Sequence, residues 1–255
     1  MHGLNLMREH VVPTTRIQYI IQEGGSATNV VTDHTKIRLC IREQNRAGVE
    51  AVTEWARQAA EGAAMATQTR AEFRVVFGVW DLLPNSPLIE RTFANFERVG
   101  TPKWTEEEQA FARNCQKHMG VPEKGMAETV VYLPKDQTVG GGTDVGDASW
   151  NVPTCVFSVP TLPLGVGLHT WAATACGGMS IGVKGGVAAA AVMTATGYEL
   201  LTDAALREAA RADFEKRKGS TAYLCAIPEG QVGPSSLGNV ESKIGSDEMV
   251  KQAEG

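Results

Sequence analysis

Two stretches, Arg16-Ile17-Gln18-Tyr19-Ile20-Ile21-Gln22 and Lys36-Ile37-Arg38-Leu39-Cys40-Ile41-Arg42, alternate polar side chains with β-branched, aromatic and other apolar ones. A period of two sends successive side chains to opposite faces of a strand, so both read as half-buried strands. The residues between them, Glu23 to Asp33, form a glycine-bearing loop. Downstream, residues 46–65 place Val49, Val52, Trp55, Ala56, Ala59 and Ala63 at three- and four-residue spacing, which gathers them on one helical face. Glu72 to Val79 reads as a third strand, ended by Leu83-Pro84-Asn85-Ser86-Pro87, with a helix from Leu88 to Arg98 before Gly100. Upstream, Leu4 to Glu9 reads as a helix already in progress. The order strand, strand, helix, strand, helix is the core of a ferredoxin-like split βαβ layer without its opening strand.

Thr101-Pro102 marks a boundary. Beyond it, Thr105 with Glu108 three residues on is a capping box opening a helix that closes at Gly120, with Pro122 after it. Residues 121–142 read as loop, and the apolar runs from Trp150 to Ser158 as a buried strand of a mixed sheet. Residues 183–201 carry small side chains at nearly every position, predicting a buried helix that approaches its neighbours closely. Thr202 to Gly219 opens with Asp203 and ends in Lys216, Arg217 and Lys218, as an amphipathic surface helix does. After Pro228 the composition turns to Gly, Ser, Glu and Lys without an aromatic residue, the profile of a poorly ordered tail. The expected division is therefore 1–100, 101–228 and a tail at 229–255.

The 255 residues are 43 % hydrophobic and 21 % charged, the balance of a globular protein with a core to bury. A net charge of -5, with no basic cluster interleaved with aromatics, argues against a nucleic-acid partner. The longest low-charge stretch, Asn151 to Ile181, is broken by Pro153, Pro160 and Pro163, so no membrane-spanning helix is expected there. Met1 to His10 lacks the apolar core of a secretory signal, and the chain reads as cytoplasmic. Five widely spaced cysteines without a C-x-x-C pair fit neither a disulfide framework nor a cysteine-rich zinc site.

Among the histidines, His169 differs because it follows a Gly/Pro-rich loop and precedes Thr170-Trp171, where side chains tend to face a cleft. Asp144 and Asp147 lie three residues apart beside Ser149 and Trp150; they suit either a turn or outer-sphere acceptors that orient a metal-bound histidine. Asn29 sits in the loop between the first two strands, and Arg42 ends the second, available to a carboxylate.

Gly24 to Val31 followed by Asp33 resembles the lid signature Gly-x-x-x-Asn-Val-Val/Ile-Pro-Asp of the di-zinc aminoacylase/carboxypeptidase-type metallopeptidases, with Thr32 in place of the proline. Thr143 to Trp150, with Val152-Pro153-Thr154 after it, is similar to one branch, the p-aminobenzoyl-glutamate hydrolase B-subunit-like amidohydrolases. Gly167-Leu168-His169-Thr170-Trp171 is similar to the Gly-His-Ser-Trp segment of that branch. The resemblance covers roughly residues 3–228.

The resemblance implies an α/β (α+β) fold: an incomplete ferredoxin-like dimerisation lid followed by the C-terminal part of a zinc-peptidase catalytic domain. It implies a metal-dependent amidohydrolase acting on an N-acyl amino acid of the p-aminobenzoyl-glutamate type, with two zinc ions in the complete site and a homodimer formed through the lid. By that resemblance His169 matches a zinc ligand, Asn29 and Arg42 match lid residues that reach substrate across the dimer, and Asp144 and Asp147 support the site. The catalytic half that precedes the lid, with most zinc ligands and the general base, has no counterpart here, so the chain is expected to be inactive without it. The competing expectation is a non-catalytic dimerisation remnant of the same family.

Overall fold

The computed structural model describes residues 1–132 and 141–231. Among them it holds eight helices and one two-stranded antiparallel sheet, a mixed α+β protein. The chain forms two compact units, one of residues 1–81 with 142–147 and 223 onward, the other of residues 82–141 and 148–222.

In the first unit, α1 (His2–Met7) precedes a hairpin of β1 (Arg16–Glu23) and β2 (Lys36–Arg42), and α2 (Arg46–Thr67) follows. Register sets Ile17 opposite Ile41, Tyr19 opposite Leu39 and Ile21 opposite Ile37, so the alternating apolar residues share one face. That face meets α1 and α2 through a core of Met7, Ile17, Val52 and Ala56, with Leu39, Ile41 and Phe73 packed against it. Asn45 starts α2 by accepting the Gly48 amide at 2.9 Å.

The third strand expected at Glu72 to Val79 does not form. Phe73 reaches the core, but the stretch is held by residues 224–231 and not by the edge of the hairpin. Trp80 Nε1 donates to the Leu224 carbonyl at 2.8 Å, the Gln231 side chain donates to the Val75 carbonyl, and Gly78 lies so close to Ala226 that a Cβ would sit 2.6 Å away. The ferredoxin-like reading of this unit is accordingly reduced to a two-stranded hairpin with helices.

In the second unit, α3 (Ser86–Val99), α7 (Ser180–Thr202) and α8 (Ala204–Lys218) pack on one another. Thus α3, which the sequence places in the first domain, has its partners here. Asn85 caps α3, and its amide also donates to the Ala210 carbonyl of α8 at 2.8 Å. The capping box forms as expected on α4 (Glu106–Met119), and Gly120 closes that helix at φ +68°. Glu108 of the box is buried and is also bound by Lys184 Nζ at 2.7 Å and Ser180 Oγ at 2.6 Å. These bonds, Lys184 first, hold its carboxyl down at about 2. Around α4, Ala112, Cys115, Met126, Val166, Ala172, Cys176 and Ile181 make the core. Burial, with Cys115 beside it, pushes the Cys176 thiol up to about 11, as for an inert structural cysteine.

Two further expectations are corrected. Residues 150–158 form no strand: 150–152 turn after α5, and the irregular stretch beyond lies on α3, where Phe157 meets Phe96 edge-on at 6.1 Å and Cys155 Sγ lies 3.2 Å from Thr92 Oγ1. Two short helices, α5 (Val145–Ser149) and α6 (Trp171–Gly177), lie where the sequence suggested no helix. The small-residue helix α7 is buried along one stripe only, Ile181, Gly185, Ala188, Val192 and Thr196. Gly185 there approaches Thr161 to a distance that a Cβ would reduce to 2.3 Å. Its opposite side exposes Val183, Val187, Met193, Tyr198 and Leu201. Among the described residues no single helix is long and apolar enough to cross a membrane; α6 and α7 together have the length, with a 68° bend between them. The tail expected at 229–255 lies outside the described residues beyond 231.

Candidate functional site

The antiparallel hairpin separates two of the expected substrate residues. Asn29 is in the turn at the tip, exposed, in a segment where the Val30 amide closes onto the Ala27 carbonyl at 3.4 Å. Arg42 ends β2 at the opposite end, paired with Arg16 at the start of β1. Six residues of strand separate Lys36 from Arg42, a rise of about 20 Å. One amino-acid-sized ligand therefore cannot touch Asn29 and Arg42 of the same chain.

Arg42 points to the outward face, which alternation gives to Arg16, Gln18 and Ile20 on β1 and to Arg38, Cys40 and Arg42 on β2. It is exposed. The carboxylate next to it, Glu43, is engaged elsewhere: it accepts from Thr14 Oγ1 at 2.9 Å, from Thr15 Oγ1 and from the Gln44 amide at 2.6 Å. Those bonds, the Thr15 hydroxyl foremost, lower its pKa.

Asp144 and Asp147 belong to the segment that opens α5. Thr143 Oγ1 accepts the Val145 amide at 3.3 Å, and the Asp147 amide donates to the Asp144 carbonyl at 3.1 Å, so the pair is set by a tight first turn. Asp144 is exposed, whereas Asp147 accepts the Tyr223 hydroxyl at 2.9 Å. Tyr223 in turn packs on Trp80, with ring centroids 5.6 Å apart, and the Arg46 guanidinium lies 5.7 Å from the Trp80 ring centroid. The bond to Asp147 raises the Tyr223 pKa, since a carboxylate acceptor favours the protonated phenol. Gly146 has a geometric reason: a Cβ there would sit 2.0 Å from the Trp80 carbonyl oxygen, so no other residue fits without moving backbone. Tyr223 and Trp80 have no local signature; they lie far apart along the chain and are adjacent only after folding.

His169 belongs to the second unit. It is exposed and has φ +63°, a left-handed conformation that costs a non-glycine residue about 1 kcal/mol. Thr170 locks the residues on either side, donating to the Gly167 carbonyl at 3.0 Å and accepting the Ala173 amide at 3.2 Å to start α6. A helix cap thus follows directly on a strained histidine, and the ring is presented to solvent on a fixed backbone. Among the described residues no three His, Cys, Asp or Glu side chains gather as metal ligands. The donors among the described residues therefore do not by themselves fit a di-zinc centre, since catalytic zinc takes about three protein ligands per ion.

The structure does not bring Arg42, Asp147 and His169 together within one unit, and comparison with known proteins relates the chain to a hydrolase. It is similar to the B-subunit of p-aminobenzoyl-glutamate hydrolase from Escherichia coli (strain K12), 31 % identical over 262 residues. The match covers 92 % of this chain and 54 % of that protein, so the chain spans about half the length of the curated relative it matches. No protein-family model matches the chain.

Proposed function

We propose that the chain is part of an amidohydrolase that cleaves the amide bond of an N-acyl amino acid of the p-aminobenzoyl-glutamate type. The observation that carries this reading is the match over nearly the whole chain to a hydrolase of that name. The strained, solvent-facing His169 supports it. In this reading the hairpin unit is the dimerisation lid, the second unit is the C-terminal part of the catalytic domain, and His169 is the zinc ligand contributed from this side. Two zinc ions are the cofactor of the complete site. Polypeptide corresponding to the other half of the relative's length supplies the remaining ligands and the general base. Asn29 and Arg42, at opposite ends of the hairpin, then serve substrate from different copies of a homodimer, because one copy cannot bring both to one ligand. Asp147, held by Tyr223, keeps its own segment in place.

The experiment is an assay with p-aminobenzoyl-glutamate, run with zinc content measured on the same samples. The chain alone is expected to hold little zinc and to be inactive, and mixing or co-expression with the complementary half is expected to restore both. No turnover of any N-acyl amino acid by the reconstituted protein overturns the reading. A second reading, to which the scattered donors among the described residues are equally suited, is a non-catalytic remnant that forms the dimer contact. A chain that is monomeric at micromolar concentration in light scattering removes that one.

A further inference from the structure

The register of the hairpin sets two arginines directly opposite each other. Arg16 lies directly opposite Arg42, and the alternation that turns Ile17 and Ile41 inward turns both arginines to the same outward face. Cβ atoms of directly opposed residues are about 5 Å apart, and like charges in that position destabilise a sheet. Neither side chain can shed its charge, because a guanidinium stays protonated throughout the physiological range. Neither has a carboxylate within ion-pair distance among the described residues, and Glu43, the nearest in sequence, is tied up by Thr14, Thr15 and the Gln44 amide.

Arg16 is also held in place. Its Nη1 donates to the Pro13 carbonyl at 2.7 Å and to the Thr15 carbonyl at 2.9 Å, which leaves Nε and Nη2 without a partner among the described residues. Two arginines opposite each other on one face, one of them fixed and neither with an internal counter-ion, suit an anion with two carboxylates. Glutamate is such an anion; three carbons separate its carboxyl carbons, a spread comparable to the cross-strand spacing.

Resting on the reading above, we propose that Arg16 acts with Arg42 as a paired seat for the two carboxylates of an N-acyl glutamate, so that Arg16 makes the protein select dicarboxylate over monocarboxylate acyl amino acids. Arg42 takes one carboxylate and Arg16 the other. Removing Arg16 then abolishes the preference for the second carboxylate and leaves recognition of the first intact.

The test is a titration of the full chain with p-aminobenzoyl-glutamate, p-aminobenzoyl-glutamine and p-aminobenzoyl-alanine, followed by calorimetry and by the arginine Nε resonances. Neither readout needs turnover. The glutamate compound is expected to bind about tenfold tighter than the other two and to shift both Arg16 and Arg42. In Arg16→Gln the three affinities converge while that for the glutamine compound is unchanged, and Arg16→Lys retains part of the difference. Circular dichroism of each variant, matched to the parent, confirms that the hairpin is intact. Equal affinities in the parent chain, or an unchanged ratio in Arg16→Gln, overturn the paired seat while leaving the amidohydrolase reading standing. Binding of none of the three overturns the seat as well, and the turnover assay of the reconstituted protein then decides the amidohydrolase reading separately.

Discussion

The hairpin and α7 solve the same problem with different outcomes. Each has a face turned to its neighbours and one turned out, but the outward face of the hairpin carries Arg16, Gln18, Arg38 and Arg42 with Ile20 and Cys40 among them, whereas that of α7 carries Val183, Val187, Met193, Tyr198 and Leu201. In the hairpin, chemistry and burial agree at the end next to the helices, where Ile17, Leu39 and Ile41 join the core, while Ile21 and Ile37 nearer the tip stay exposed. In α7 they part, because Ala, Gly, Val and Thr occur all round the helix and only packing distinguishes Val192, fully buried, from Val187, 65 % exposed. Composition marks a face as buried only when the two faces differ in composition.

The sharpest way to break this comparison is to charge each face of α7. Val192→Asp is expected to cost about 4 kcal/mol, an unpaired charge in a packed stripe, whereas Val187→Asp stays within about 0.5 kcal/mol. Chemical denaturation measures both, and equal losses would show that both faces are buried in solution. On the hairpin, Ile17→Ala is expected to cost about 3 kcal/mol and Ile20→Ala far less, since Ile17 is in the core and Ile20 faces out. A similar cost at the two positions would refute the inward register.

Smaller effects probe the polar contacts. Gly146→Ala must displace the Trp80 carbonyl and is expected to cost about 2 kcal/mol. It is also expected to loosen the Tyr223 bond to Asp147, so that the raised Tyr223 pKa falls back in a spectroscopic titration; an unaltered titration would separate the glycine from the tyrosine. Glu108→Gln is expected to cost about 1.5 kcal/mol near neutral pH through its bonds to Lys184 and Ser180. Glu108 sits at about 2 in the folded chain against 4.5 ordinarily, so its contribution is complete above pH 4.5 and fades as pH falls toward 2. The variant should therefore lose part of the acid sensitivity of the parent in that window, and identical acid profiles would exclude Glu108 as a contributor.

Much of the helical architecture was legible because helix ends are local. Thr105 with Glu108, Asp203 before α8 and Gly120 after α4 act within one turn of the chain, and each works as its spacing says. Period two also sufficed for the two strands, since the register follows from which residues must be inside. The candidate residues were legible as chemistry only. That His169 is strained, that Asn29 and Arg42 occupy opposite ends of one hairpin, and that Arg16 stands beside Arg42 required the fold.

Local pattern was enough for the caps of α4 and α8, for the two strands and for the likeness of Gly24 to Asp33, Thr143 to Trp150 and Gly167 to Trp171 to a hydrolase, since each is carried by neighbours along the chain. Tertiary structure alone decided that Glu72 to Val79 joins residues 224–231 instead of a sheet, that Tyr223 meets Asp147, and which face of α7 is covered. Those outcomes depend on contacts between residues far apart in sequence, where local pattern carries no information and packing makes the choice.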